Sequence, residues 1–193
     1  MKVRKVDRER HVMKVNQKKF CNKNLSFTIR SAVENDAKDL SEIRLQIDGE
    51  TENLDREPGE SYIDESGFKQ LIFEDTEQDH NLFLVCEANG KIVGFSRCEG
   101  NTLRRKSHIV EFGVCVLEKY WGYGIGTNLL IKSLEWADFN NIKKITLKVL
   151  ETNDHAIKLY EKYGFEKEGI LKKDKLLSDG SYYNTILMAR FKG

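Results

Sequence analysis

The run Ile109-Val110-Glu111-Phe112-Gly113-Val114-Cys115-Val116 leads into Tyr120-Trp121-Gly122-Tyr123-Gly124-Ile125-Gly126-Thr127-Asn128-Leu129-Leu130. The first stretch reads as a buried strand, and from Asn128 to Phe139 the apolar Leu129, Leu130, Leu134 and Ala137 recur at helical spacing. Gly122, Gly124 and Gly126 therefore fall at a strand-to-helix corner. Without a Cβ they permit a sharp turn and a close approach of backbone N–H groups to a ligand. A helix beginning there adds unsatisfied N–H groups and the positive end of its dipole. Such a corner suits a phosphate or pyrophosphate. Neither familiar nucleotide loop fits it: no Lys follows the glycines, and their spacing is Gly-x-Gly-x-Gly rather than Gly-x-Gly-x-x-Gly. Taken alone, the cluster is equally a packing turn, so the rest of the chain has to decide.

A length of 193 residues with 39% hydrophobic content is enough for one packed domain, expected over 25–193. No apolar run reaches the length of a membrane span, and no apolar stretch follows the N-terminal charges as in a secretory signal. A cytoplasmic protein without membrane contact is expected. Cys21, Cys86, Cys98 and Cys115 form no Cys-x-x-Cys pair and no Cys/His cluster, so reduced thiols and no metal are expected. Residues 1–24 hold nine basic and two acidic side chains, leaving 23 basic and 29 acidic in 25–193. This predicts a basic, flexible N-terminal arm on a mildly acidic body. A solvated terminus is expected rather than a nucleic-acid contact.

In chain order, Leu25 to Arg30 alternates as a first strand, and Ala37, Leu40, Ile43, Leu45 and Ile47 mark an amphipathic helix. Asp48 to Glu65 is an acidic, irregular segment containing the only proline, Pro58. A solvated loop is the plain reading of it, and attraction of a cationic amine the functional one. A short helix is expected around Phe68 to Phe73. Leu82–Cys86 and Ile92–Ser96 flank Asn89-Gly90, a strong hairpin signal. After the glycine corner come a strand at Lys144–Val149 and a helix capped by Asn153 and Asp154 that stops at Gly164. Two last strands follow, 165–171 and 182–191, around a turn at 178–180. The strand, helix and strand from 109 to 149 form a β-α-β unit with parallel pairing, whereas the N-terminal half reads as an antiparallel meander. The class is α+β.

This order of parts resembles the GNAT superfamily of N-acetyltransferases, most strongly over 109–171. Gly122-Tyr123-Gly124-Ile125-Gly126, with Thr127 following, is similar to the family's Arg/Gln-x-x-Gly-x-Gly/Ala motif, which holds the pyrophosphate of acetyl-coenzyme A. Asn153-Asp154-His155-Ala156-Ile157-Lys158-Leu159-Tyr160-Glu161-Lys162-Tyr163-Gly164-Phe165 is similar to its Asn-x-x-Ala-x-x-Leu-Tyr-x-x-x-Gly-Phe signature. The resemblance implies a GNAT-like fold: a mixed sheet of six to seven strands flanked by four helices. It implies acetyl-CoA as co-substrate, and a small-molecule primary amine such as a polyamine, amino acid or antibiotic-like amine as acceptor, attacked directly in a ternary complex. A protein N-terminus as acceptor, or a non-catalytic acyl-CoA-binding module, stays open. So does a homodimer formed through the last strands.

The site residues follow from the resemblance. The backbone of Val114, Cys115 and Val116 would pair with the pantetheine arm, Asn153 would meet the arm or the acceptor, and Tyr160 would protonate the departing thiolate. Glu111, a carboxylate inside an apolar strand, is the candidate base, with His108 and His155 behind it. One departure stands out. The motif's Arg or Gln is Trp121, whose single N–H cannot replace a guanidinium fork, so backbone N–H groups would carry more of the pyrophosphate.

Overall fold

A computed structural model of the chain describes residues 15–192. Its strands are β1 (Lys18–Asn22), β2 (Leu25–Ser31), β3 (Leu82–Ala88), β4 (Lys91–Gly100), β5 (Ile109–Val116), β6 (Lys144–Leu150), β7 (Glu166–Leu176) and β8 (Tyr182–Phe191). The helices are α1 (Ala37–Glu50), α2 (Glu65–Glu77), α3 (Ile125–Phe139) and α4 (Asp154–Lys162). The strands form one mixed sheet in the order β1-β2-β3-β4-β5-β6-β8-β7, antiparallel except for β5 beside β6. The α+β class and the β-α-β unit hold. The expected six to seven strands become eight.

The sheet is covered on both faces, which explains why β3 is buried at every position but Glu87. Successive side chains of a strand alternate between faces. On β4, Ser96 meets Ser133 of α3, while its neighbour Arg97 holds Asp75 of α2 with Nε at 2.6 Å. Helix α3 thus lies on one face and α2 on the other. The same alternation on β5 sends Phe112 toward Tyr160 of α4.

The eighth strand, β1, lies inside the stretch read as a basic arm. Residues 1–14 of that arm lie outside the described residues. Four of the five β1 residues are exposed, and only Phe20 packs inward, stacked on Phe27 at 5.3 Å. A single half-buried position leaves almost no periodic signal. Helix α2 runs well beyond the expected 68–73, because Asp64 caps it by accepting from Gly67 N–H at 2.7 Å and Phe68, Ile72 and Asp75 form its narrow buried stripe. Helix α1 also runs to Glu50, so the acidic segment begins on a helix rather than in a loop. β7 reaches Leu176 by way of two register shifts, and it is an edge strand carrying Lys172, Lys173, Asp174 and Lys175. Charged edges of this kind resist pairing with other strands.

Candidate active site

β5 and β6 begin side by side, but only three residue pairs match, Ile109 with Lys144, Val110 with Ile145 and Glu111 with Thr146. Beyond that point β5 stays on β4 as far as Val116, and β6 stays on β8 as far as Leu150. The two strands part and leave a fork. Parity settles which backbone groups of β5 look into it. Leu117 N–H donates to Val93 C=O at 3.0 Å, so residues of odd number are the hydrogen-bonded partners of β4 and those of even number turn toward β6. The Thr146 hydroxyl reaching Val110 C=O and the Trp121 indole reaching Val116 C=O at 2.8 Å agree with this. Val114 N–H and C=O and Val116 N–H therefore face the fork. Cys115 turns both its backbone groups to β4, so it contributes no backbone edge there.

The fork ends at the glycine corner. Gly122 and Gly124 have φ of +77° and +79°, a left-handed conformation that strains any residue with a Cβ. Gly124 is the N-cap of α3, no side chain caps the helix, and its first turn holds no acid. Gly126 and Thr127 lie in that first turn and Tyr123 is half-buried beside it. The corner is therefore a positive, N–H-lined end of a 15-residue helix. Trp121 does not fill the role of the missing Arg or Gln. Its one N–H is occupied by Val116 C=O, and its ring, 48% exposed, stands at the mouth of the fork.

Helix α4 supplies the side chains opposite. Asn153 caps it, with Oδ1 accepting from Ala156 N–H at 3.2 Å, which leaves its NH2 group without a partner among the described residues. Tyr160 is only 8% exposed, edge-on to Phe112 and against Phe165. Its hydroxyl makes no hydrogen bond among the described residues. Burial, with a smaller contribution from the Cys115 thiol, pushes the phenol up to about 12. It therefore carries its proton throughout the physiological range, as a weaker acid than free tyrosine with an O–H available to donate a hydrogen bond.

Glu111 sits at the last paired position before the fork and is exposed, with a carboxylate oxygen 3.4 Å from Lys148 Nζ of β6. By alternation it lies on the face of β5 opposite Phe112 and Tyr160. His108 and His155 are exposed and outside this grouping.

On the Glu111 face a cleft of about 990 Å³ is walled by residues 48–58 on one side and by Leu171 and 174–178 on the other, with Trp121, Lys148 and Leu150 between them. Its walls are tied together by Lys175 to Asp55 at 2.7 Å and by Ser178 N–H to Glu52 at 2.8 Å. Asp48, nearly sealed from solvent, is held by Arg56 through two bonds of 3.1 and 2.9 Å. Beside them Arg44 donates to Ser61 C=O at 2.7 Å, and burial, then the neighbouring Arg56, holds its guanidinium below the ordinary value. Most acids of the 48–65 segment thus have partners inside the protein. Glu57 and Asp174 have none for their carboxylates among the described residues. Sequence reasoning missed this cleft, since its walls come from segments far apart in the chain.

Residues 48–165 match the acetyltransferase (GNAT) family. The chain is 34% identical over 134 residues to the L-amino acid N-acetyltransferase AaaT of Escherichia coli, spanning 69% of this chain and 74% of that protein. It is 29% identical over 138 residues to spermidine N(1)-acetyltransferase of Escherichia coli, spanning 70% of each. The crystal structure of a GNAT-family acetyltransferase from Streptococcus pneumoniae superposes with a TM-score of 0.83 at 25% identity, over 86% of this chain and 99% of that one. With the fork, the glycine corner and the Asn153–Tyr160 helix in the family's order, the chain belongs to the GNAT family and is an acetyltransferase.

Proposed function

We propose that this enzyme transfers the acetyl group of acetyl-CoA to the primary amine of a small molecule, by direct attack in a ternary complex. The observation that carries the reading is the fork, which meets the anion-seeking corner at one end and the walled cleft on one face. Acetyl-CoA supplies an activated thioester. Val114 and Val116 offer the open backbone edge along which an amide-rich arm pairs as a strand would. One of their N–H groups polarises the thioester carbonyl and stabilises its oxyanion. Asn153, anchored as a cap, turns its free NH2 toward the same arm. Gly122, Tyr123, Gly124, Ile125, Gly126 and Thr127 hold the pyrophosphate on the start of α3.

The acceptor enters through the cleft. Glu111 takes the amine's proton, directly or through one water, as the N–C bond forms. Tyr160 hydrogen-bonds the departing sulfur and passes its proton to it as the C–S bond breaks. The cleft holds cationic Lys148 together with the uncommitted acids Glu57 and Asp174, which suits a compact amine bearing one or more further charges. Two tied walls favour such a molecule over a polypeptide. The names of the two relatives, which act on amino acids and spermidine, support this class.

The test is thiol release from acetyl-CoA with a panel of L-amino acids, polyamines and an alanine-ended peptide. Release with one of the small amines is expected. If the peptide alone reacts, the acceptor assignment fails. If CoA binds but no thiol is released between pH 6 and 9, the chain is a binding module and the catalytic reading fails.

A further inference from the structure

The turn between β1 and β2 packs onto the glycine corner, a contact that the donor site as described does not use. Asn22 Nδ2 donates to Tyr123 C=O at 2.9 Å and lies 3.2 Å from where a Cβ on Gly124 would stand. The next residue, Lys23, brings its ammonium group to 3.8 Å from the corresponding point on Gly122. Lys23 is exposed and forms no ion pair among the described residues. A cation without an ion-pair partner among the described residues thereby stands beside the glycine corner that leads into α3, whose positive end repels it. An anion seated between the two would reverse the sign of the interaction.

The backbone points the same way. β1 and β2 are joined by a two-residue turn, Lys23 and Asn24, with φ of +46° and +65°, between the paired Asn22 and Leu25. Positive φ at both central positions is what a tight type I′ hairpin demands, and Asn or Gly is the easy choice there. Lys at the first position is strained, and strain of this sort persists where something else selects the residue. The motif's own Arg or Gln donor is absent: Trp121 stands in its place and spends its only N–H on Val116.

We propose that Lys23 replaces that missing side-chain donor, so that its ammonium group and the N–H groups at the start of α3 grip the pyrophosphate of coenzyme A from two sides. This rests on the donor site proposed above. A charge-assisted contact of this kind is worth roughly ten-fold in affinity. Asn22 acts as the positioning residue, because its bond to Tyr123 fixes the hairpin to the corner.

The experiment is calorimetric binding of CoA and of dephospho-CoA, which keeps the pyrophosphate but lacks the 3′-phosphate, to wild type, Lys23→Asn and Lys23→Arg. Asn suits the left-handed turn, so Lys23→Asn is expected to melt at or above the wild-type temperature. It is expected to bind both ligands about ten-fold more weakly, while Lys23→Arg stays within about three-fold of wild type. Wild-type affinity in Lys23→Asn overturns the proposal. A loss confined to CoA also overturns it, by moving Lys23 to the 3′-phosphate. If wild type binds neither ligand, the donor site itself fails and Lys23 falls with it.

Discussion

The two halves of the site are built from different materials. The half proposed to hold the donor is mainly backbone, the open edge of β5, the first turn of α3 and two glycines in left-handed conformations, to which Asn153 and Lys23 add two side chains. The half proposed to take the acceptor is built of side chains: Arg56 on Asp48, Lys175 on Asp55, and Glu52 on a backbone N–H of the far wall. A backbone site binds a ligand that does not vary, and its cost is carried by a few residues, such as Gly124, that no other type replaces cheaply. A side-chain site can be rebuilt one residue at a time without disturbing the sheet.

The largest expected effect breaks the chemistry while leaving both halves standing. Tyr160→Phe removes a hydroxyl without hydrogen-bond partners among the described residues and should lower turnover by about a hundred-fold, with donor affinity changed by less than about two-fold. Steady-state kinetics beside CoA titration checks this; equal losses in turnover and affinity would make Tyr160 part of the binding edge instead.

Breaking the acceptor half should have a smaller and different effect. Arg56→Ala strands the Asp48 carboxylate, whose side chain is 2% exposed. Since Arg56 is itself partly solvated, the cost is set at about 2 kcal/mol rather than that of a fully buried pair. That corresponds to a melting point about 4–8 °C lower. The acceptor KM should rise while the affinity for CoA holds, and a fall in CoA affinity would show that the halves are not separable.

The smallest effect concerns the thiols. Burial pushes Cys86, Cys98 and Cys115 up to about 12, whereas Cys21 is exposed on β1. At pH 8 a thiol reagent should modify Cys21 first and the other three slowly, as mass spectrometry of timed samples would show. The folded-state values lie above those of the free groups. Neutral burial of these thiols and of Tyr160 therefore stabilises the fold fully below pH about 9, and that stability is lost as the pH climbs toward 12.

The same division governs what could be read from the sequence. Gly122, Gly124, Asn153 and Tyr160 sit in short runs whose spacing follows from one turn or one helix, so the glycine corner and the capped helix were legible as local structure. The cleft joins 48–58, Lys148, Leu171 and 174–178, and no local pattern records that Lys175 will reach Asp55. The acidity of 48–65 was legible, but its internal pairing was not. β1 escaped because an exposed strand has no alternation to show; the cue was the Lys23-Asn24 pair, polar and able to turn between short β-like runs. Trp121 was legible as a departure, but not its bond to Val116, which needs the corner folded first.

The early parting of β5 and β6 also bears on how long the protein lasts. A sheet that stops pairing after three residues leaves amide groups to water just where its two halves should be stitched together. On the reading above, the donor arm covers those groups only in the folded state, so each bound molecule shifts the folding equilibrium by mass action. At a hundred times its dissociation constant a ligand adds about 2.7 kcal/mol. The enzyme's resistance to heat and proteolysis would then rise and fall with the supply of its own acyl donor.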